Sequence, residues 1–316
     1  MAQDLRLAFV GQGTYFSSSV MEAPEAGIVP AFFELAPGGP PGVLLAALES
    51  FAPDVVIVFR PELLPAGAFA TLDALTVGYL TEPLPRSTAP DRVAHPDLET
   101  RLTTLRDIDP ADFDRIVCFD PLLAATVDPI VPVWRSLPIP IADSIFAPVR
   151  PTPGPPRHLF VGRSTGHRER FLGPIKHDFD VVHLAHGISE DRLREFLAES
   201  DVGINLHNEP YPTFENRVGT LLAAGLLVVS ESLSPRHGLL PGTDYVEVAH
   251  PWELWEIAAA LRGAPDAFAT VRHSGREKAE RFRASRVYPA LVRDLLDDVR
   301  TFGTARAART SAPRAR

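Results

Sequence analysis

Cysteine and lysine are nearly missing from this chain of 316 residues. The single cysteine, Cys118, excludes a disulfide within one chain, and its apolar surroundings predict a buried thiol in a reducing compartment. Lysine occurs only at Lys176 and Lys278, so nearly every basic position is arginine. No apolar run is long enough to span a bilayer, and the N-terminus lacks a signal-peptide pattern. We therefore expect a cytoplasmic protein without a transmembrane segment.

An excess of positive charge is missing too. The formal net charge is −9 and the isoelectric point is near 5.6, which argues against nucleic acid as the main partner. His183, His186 and His207 lack cysteine partners and helical ligand spacing, so the sequence predicts no metal site. A composition of 45% hydrophobic and 22% charged residues is that of a globular protein, and the length predicts two domains.

Strand-like and helix-like segments alternate along both halves of the chain, which predicts α/β architecture with parallel sheets. A proline-dense stretch interrupts this pattern at 149–156, where neither a helix nor a central strand can continue. We predict Rossmann-like domains at 1–148 and 157–285, joined by a proline-rich linker at 149–156. A further helix is expected at 286–300, followed by a disordered basic tail at 301–316.

The segment 201–232 is the most informative, because polar residues gather between a strand and a helix. The alternation of Val202, Ile204 and Leu206 predicts the strand, and helical spacing predicts a helix at 214–224 with Thr213 as its N-cap. The helix N-terminus and Arg217 would together favour a phosphate or diphosphate. The alternative is that these are the ordinary polar loops of an α/β domain.

Each half also opens with a strand followed by a glycine and polar residues. The first loop contains Gly11 and Gly13, and the second contains Gly162 and Arg163. Glycine lets the backbone approach a ligand closely, but the dinucleotide fingerprint is incomplete, so an NAD site is not favoured. We favour Arg163 over the two later arginines as a phosphate contact, because Arg163 directly follows the strand and its glycine.

Several segments in order resemble glycosyltransferases of the GT-B fold, and most of all the spore-maturation CgeB-like, family-four-like group. They are TEPLP at 81–85, LPIPIADSIFAPV at 137–149, HLFVGRSTGHRERFL at 158–172, ESDVGINLH at 199–207, NRVGTLLAAGLLVVSE at 216–231 and GTDYVEVAHPWELWEIAAAL at 242–261. The resemblance implies two Rossmann-like domains facing a cleft, with a C-terminal helix that crosses back to the N-terminal domain.

This resemblance also implies a nucleotide-sugar co-substrate, no resident cofactor, and a small-molecule or glycan acceptor on the N-terminal side. Oligomeric state and stereochemical outcome stay open. The implied donor-binding residues follow the strands or begin the following helix: Gly11, Gly13, Gly162, Arg163, His186, His207, Asn216, Arg217 and Thr220. Thr220 stands where the family usually has a glutamate, which is a departure from its pattern.

An inverting transfer needs a base near the acceptor hydroxyl, and Glu82 and Asp120 are the carboxylates at strand ends of the N-terminal half. We favour Glu82, although a turn-forming role is the alternative. Trp252 and Trp255 are interpreted as packing residues of a helix at 251–261. The leading hypothesis is a glycosyltransferase; the alternatives are an inactive GT-B-like binding module and a GT-B-like sugar-nucleotide epimerase.

Overall fold

The computed structural model describes residues 4–36, 38–84, 97–185, 188–208 and 212–304. The chain forms two compact units: Met1–Pro140 together with Ala284–Arg316, and Ile141–Arg283. The change of unit at Pro140 precedes the predicted linker, so the proline-rich segment 149–156 belongs to the second unit. None of the helices in the described ranges is long and apolar enough to cross a membrane.

The first unit is built on a parallel sheet with the strand order β2-β1-β3-β4-β5-β6. Its strands β1 to β6 span Leu5–Gly11, Ile28–Glu34, Val55–Phe59, Leu75–Leu80, Arg115–Cys118 and Arg135–Ser136. Its helices α1 to α4 span Gly13–Phe16, Pro41–Phe51, Asp97–Arg106 and Ala124–Val127. Strand β3 is apolar throughout and fully buried, as expected for a central strand covered on both faces.

The second unit repeats this architecture with the strand order β11-β10-β9-β7-β8, again parallel. Its strands β7 to β11 span His158–Val161, Val181–Leu184, Val202–Asn205, Leu227–Ser230 and Val246–Glu247. Its helices α5 to α9 span Gly166–Asp178, Glu190–Glu199, Asn216–Ala223, Pro251–Gly263 and Ala269–Ala279. The predicted pair of parallel-sheet α/β domains is therefore confirmed.

Helix α10, Ala284–Phe302, belongs to the first unit, which confirms the predicted return of the C-terminal helix. Its apolar face contributes Tyr288, Leu291 and Leu295 to the core of that unit. The ring of Tyr288 meets Phe9 edge-on at 4.6 Å, and its hydroxyl donates to the Ser19 carbonyl at 2.6 Å. The helix extends to Phe302, and most of the predicted tail lies outside the described residues.

Two interpretations of local sequence are wrong. Trp252 and Trp255 are 57% and 38% exposed and so are not core residues, because helix α8 buries Leu254, Ala258 and Leu261 instead. The Trp255 indole Nε1 donates to Asp178 at 2.7 Å, which satisfies its polar atom at the surface.

The second wrong interpretation concerns the start of helix α7. This helix begins at Asn216 and not at Phe214, with Glu215 and not Thr213 at the N-cap.

Candidate functional site at the carboxyl edge of the second sheet

Three neighbouring strands of the second unit end side by side and carry polar residues immediately after their last positions. Strand β9 lies between β7 and β10, so the loops that begin at Gly162, Leu206 and Glu231 share one edge of the sheet. Ligands of open α/β sheets bind at such carboxyl edges. The site is therefore built from these loops and from the starts of helices α5 and α7.

Arg217, from the first turn of α7, ties the strand ends together. Its Nε donates to Asn205 Oδ1 at 2.7 Å, Nη1 to the Val161 carbonyl at 2.7 Å, and Nη2 to the Leu206 carbonyl at 2.6 Å. The side chain is 12% exposed. Burial lowers the pKa of Arg217, which Glu215 partly opposes. Most of the donors of this guanidinium are thus committed to the protein, and Arg217 forms the floor of the site.

Arg168, on helix α5, braces the same edge from the other side. Its Nε donates to the carbonyls of Leu206 and His207 at 3.0 and 3.1 Å, and Nη1 donates to the Arg163 carbonyl at 3.1 Å. Burial, together with the nearby charge of Arg217, lowers the pKa of Arg168 to about 10. The guanidinium stays protonated at neutral pH, so two buried positive charges lie at this edge.

Glu215 contacts both of these guanidiniums. Its carboxylate lies 2.6 Å from Arg217 Nη2 and 3.4 Å from Arg168 Nη2. Burial alone would raise the pKa of Glu215, but Arg217, His207 and Arg168 outweigh burial and hold it at about 2. Glu215 is therefore ionised at neutral pH and takes part in a buried network, where it neutralises one of the two guanidinium charges.

His207 and Glu231 extend this network toward β10. The His207 Nε2 donates to the Ser232 carbonyl at 2.8 Å, and its backbone N–H donates to Glu231 Oε2 at 2.7 Å. The other carboxylate oxygen of Glu231 lies 2.8 Å from His167 Nε2. Sequence reasoning named His207 but missed Glu231 and His167. Glu231 could have been predicted from its position, because it directly follows strand β10 just as Gly162 directly follows strand β7.

Arg163 differs from the two buried arginines because its side chain is exposed. Its Nε donates to Asn208 Oδ1 at 3.0 Å, which fixes the guanidinium beside the loop after β9. Within the described part of the chain, no hydrogen bond or ion pair engages its terminal Nη1 and Nη2 groups. Arg163 therefore presents an outward fork of donors at this edge.

Asn216 and Thr220 lie one turn apart on α7. The Thr220 hydroxyl donates to the Asn216 carbonyl at 3.3 Å, and Thr220 is only 6% exposed. The Thr220 hydroxyl thus bonds within its own helix. Unlike the glutamate that the resemblance leads one to expect at this position, Thr220 provides no carboxylate at this edge of the sheet. His186 lies outside the described residues.

Gly11 and Gly13 lie in the first unit, after β1. The Gly13 N–H donates to Glu34 Oε2 at 2.9 Å, and a Cβ at Gly13 would lie 2.8 Å from the same oxygen. A Cβ at Gly11 would lie 3.1 Å from the ring of Phe59. A side chain at either position would thus press on a neighbouring side chain, and the Gly13 N–H already has a carboxylate acceptor.

Glu82 and Asp120 follow β4 and β5 of the first unit. Glu82 lies 3.2 Å from Arg60 Nη1 and is 36% exposed at its side chain. Arg60 also bonds the buried Glu62 at 2.9 Å, and burial raises the pKa of Glu62 while Arg60 opposes that rise. Asp120 is 1% exposed, and its Oδ1 accepts from the Leu122 N–H at 2.8 Å. Sequence reasoning missed Arg60 and Glu62.

The described ranges contain no group of three or more His, Cys, Asp and Glu side chains that could hold a metal ion. No family model matches the sequence, and no curated protein matches it.

Solved structures do match along nearly the whole chain. Sucrose-phosphate synthase from Thermosynechococcus elongatus is 14% identical, with 93% of this chain and 99% of that chain covered and a TM-score of 0.56. The HepE protein of Anabaena, solved in complex with UDP-glucose, is 12% identical over 93% of this chain and 100% of that chain, with a TM-score of 0.54.

A third structure is similar over a slightly longer range. The α,α-trehalose 6-phosphate synthase from Burkholderia multivorans is 14% identical over 99% of this chain and 100% of that chain, with a TM-score of 0.51. At such low identities the likeness concerns the fold, and the fold of this chain is the two-domain GT-B fold.

Proposed function

We propose that this protein is a glycosyltransferase that uses a nucleoside diphosphate sugar as donor, bound at the carboxyl edge of the second sheet. The observation that carries the proposal is the outward fork of Arg163, positioned over a buried network with two further guanidiniums. Planar guanidinium donors suit the oxygens of a diphosphate. The HepE structure with UDP-glucose supports this donor class.

In the proposed reaction the bond between the anomeric carbon and the diphosphate oxygen breaks, and a bond forms from that carbon to an acceptor hydroxyl oxygen. Negative charge grows on the leaving diphosphate, and Arg163 would stabilise it. Arg168 and Arg217 position the loops, because their hydrogen bonds are made to strand-end carbonyls. The hydroxyl proton would pass to a carboxylate that acts as general base.

Of the two carboxylates predicted as the base, we assign this role to Glu82. Its side chain is 36% exposed, whereas Asp120 is buried and accepts a hydrogen bond from its own turn. Proton acceptance requires contact with the acceptor hydroxyl, and the exposed carboxylate of Glu82 is more accessible for this contact than the buried one of Asp120. Asp120 would then shape the turn that follows β5.

The proposal includes no resident cofactor and a cytoplasmic location. Placement in the CgeB-like group rests on the ordered segments of the sequence, among them 199–207 and 216–231. The acceptor is proposed as a small molecule or glycan.

A non-catalytic binding module is the second candidate, and Thr220 favours it. The Thr220 hydroxyl bonds within its helix, Glu215 is paired with two arginines, and Glu231 accepts from His207 and interacts with His167. Among the described residues, Glu215 and Glu231 are thus engaged by the protein, which leaves neither of them to hold the hydroxyl groups of a sugar. Such a site would bind the diphosphate without turning the donor over.

The experiment measures nucleotide binding first and turnover second. A thermal-shift screen of nucleoside diphosphates and their sugars identifies the donor class, since a ligand that binds only the folded state raises the melting temperature. Calorimetry then compares Arg163→Ala with Arg170→Ala, because Arg170 is also an exposed arginine and lies on helix α5, which follows the loop of Arg163. Arg217→Ala is less suitable, because it removes bonds to the ends of two strands and would unfold the site.

We expect Arg163→Ala to weaken nucleotide binding by about tenfold or more and Arg170→Ala to change it by less than about threefold. Transfer or slow hydrolysis of the donor sugar would support the transferase. Tight binding without turnover would support the binding module, and isomerised donor sugar without an acceptor would indicate an epimerase. The proposed site is wrong if no nucleotide binds or if Arg163→Ala binds as the parent does.

A further inference from the structure

A cavity of the first unit lies at the carboxyl edge of its sheet. It has a volume of about 490 Å³, and its lining comes from the end of β2, the segment between β2 and α2, the start of α2, and residues 63–65 after β3. All of these residues belong to the first unit. Cavities of roughly 300–1,000 Å³ that are mostly apolar and contain a few polar groups are typical of small-molecule sites.

The walls of this cavity are apolar. Leu35 and Leu64 are buried, Leu44 and Leu63 are half-buried, and Val43 of helix α2 is 69% exposed. A ligand that covers a side chain as exposed as Val43 removes apolar surface from water, which is favourable. These walls therefore favour a ligand with an apolar or aromatic body.

The lining offers few hydrogen-bond donors and no basic side chain among the described residues. Pro40, Pro41 and Pro65 have no backbone N–H. Several other N–H groups of the lining already donate to backbone carbonyls of the protein, namely those of Leu35, Gly39, Val43, Leu63 and Leu64. A carboxylate or phosphate ligand, which needs donors, therefore finds little to bind here.

Glu34 is the one charged side chain among the described residues that line the cavity. The Gly13 N–H donates to its Oε2 at 2.9 Å, which fixes the carboxylate at the end of β2. No hydrogen bond or ion pair from the described residues engages its other oxygen, Oε1. Glu34 is also exposed, so a ligand can reach it. The cavity thus combines apolar walls with an anchored and accessible acceptor of negative charge.

We propose that this cavity binds a compact organic cation, a primary amine on an apolar or aromatic body, whose ammonium group donates to Glu34. Charge complementarity selects the cation, because Glu34 has no cationic partner among the described residues and the described lining contains no positive charge. The apolar body lies against Val43, Leu44 and Leu63. The inference does not depend on the proposed transferase activity, whose nucleotide site is built from residues of the second unit.

The test is calorimetry on the full chain with 3-phenylpropylamine, 3-phenyl-1-propanol and 3-phenylpropionate. The three probes share the apolar body and carry a positive, a neutral and a negative group at neutral pH. We expect the amine to bind at least about threefold more tightly than the alcohol, because only the amine forms an ion pair with Glu34. Repulsion from Glu34 should make the carboxylate the weakest of the three. Equal affinities of the amine and the alcohol, tighter binding of the carboxylate, or no binding of the amine would overturn the proposal.

Glu34→Gln tests the charge. This variant keeps a side-chain oxygen that can accept from the Gly13 N–H, so the end of β2 should stay in place. The amine should bind at least about threefold more weakly than to the parent, and the alcohol should keep its affinity. Glu49→Gln is the matched control, because Glu49 is an exposed glutamate on α2 that does not line the cavity. Unchanged amine affinity in Glu34→Gln, or an equal loss in Glu49→Gln, would contradict the assignment.

Val43→Ala tests the apolar wall. The amine and the alcohol should both bind about two- to threefold more weakly, because the variant removes apolar contact with the body that they share. Leu122→Ala is the control, at a position of the first unit that is 52% exposed and lies outside the cavity, and it should keep both affinities. Arg163→Ala should also keep them, which separates this cavity from the nucleotide site. Parent affinities in Val43→Ala would show that the probes bind elsewhere and would overturn the proposal.

Discussion

A Cβ atom on Gly162 would lie 2.8 Å from Nη1 of Arg217. The same atom would lie 3.2 Å from Nη1 of Arg168, so both buried guanidiniums pass directly beside this glycine. Its φ of +151° is also one that residues with side chains rarely adopt. Gly162 therefore leaves room for the guanidiniums of Arg168 and Arg217. Arg168 in turn donates to the Arg163 carbonyl and so fixes the backbone of Arg163.

Gly162→Ala should destabilise the protein by about 1–3 kcal/mol, since it combines backbone strain with a clash against buried charged groups. Urea unfolding measures the change. Gly166→Ala is the matched control, because Gly166 has a negative φ and no atom within 4 Å of its Cβ position. We expect the control to leave the free energy of unfolding within about 0.5 kcal/mol of the parent. Equal effects of the two variants would contradict this reading of the loop.

Glu215 should make stability depend on acid pH. Its pKa falls from an ordinary value of 4.5 to about 2 in the folded protein. A depressed pKa contributes stability that is fully present above pH 4.5 and is lost as pH falls toward 2. The contribution is on the order of 3 kcal/mol. Glu215→Gln should lower stability at pH 7 by roughly that amount and flatten the slope of stability against pH between 4.5 and 2.

The measurement is urea unfolding of both proteins across this pH range. A part of the slope should persist in the variant, because hydrogen bonds from Arg283 and Arg276 hold the pKa of Glu280 at about 2 as well. Glu199→Gln is the control, since its ion pair with Arg157 is 58% exposed on the carboxylate side. Exposed pairs contribute about 1 kcal/mol or less. An unchanged slope in Glu215→Gln would show that the carboxylate is not held ionised as described.

Tyr288 should anchor helix α10 to the first unit through its hydroxyl. Tyr288→Phe removes a buried hydrogen bond to the Ser19 carbonyl and keeps the ring against Phe9, so we expect a loss of about 1–2 kcal/mol. Thermal or urea unfolding measures it. Tyr15→Phe, at a position that is 57% exposed, should change stability by less than about 0.5 kcal/mol. A neutral Tyr288→Phe would show that the helix is held by its apolar face alone.

Alternating strand-like and helix-like segments were sufficient to predict parallel sheets in both halves, but the segment of strand β2 does not have the sequence of a central strand. Pro30 lies in its middle, and proline argues against a central strand. The sheet resolves this conflict because β2 is an edge strand, where one side of the backbone needs no partner. Strand order depends on pairing between distant segments, and local sequence carries little information about it.

The sequence predicted where polar side chains gather but not how they pack. The polar residues after β7 and β9 lie at one edge of the sheet, yet their spacing could not separate buried from exposed arginines. Arg217 and Arg163 carry the same charge, and only the packing around Phe160 and the strand-end carbonyls commits the first to the protein. Glu215 was not among the predicted donor-binding residues, and its extended backbone lets it meet both buried arginines.

Thr213 and Thr220 provide a final test of what the start of α7 contributes. The Thr213 hydroxyl is buried and has no hydrogen-bond partner in the described part of the chain, whereas Thr220 bonds to the Asn216 carbonyl. Thr213→Val should stabilise the protein by about 1 kcal/mol, because it removes an unsatisfied hydroxyl without changing shape. Thr220→Val should leave stability nearly unchanged. The Asn216 carbonyl, which loses the hydrogen bond from the hydroxyl, lies within the helix.

Nucleotide calorimetry on both valine variants then separates packing from ligand contact. A hydroxyl that bonds within its helix has little left to offer a ligand, so Thr220→Val should keep the affinity of the parent. Thr213→Val should lose nucleotide affinity only if the Thr213 hydroxyl contacts the diphosphate. Its ligand-free form should show the predicted gain in stability in either case. A loss of affinity in Thr220→Val would instead assign nucleotide contact to Thr220.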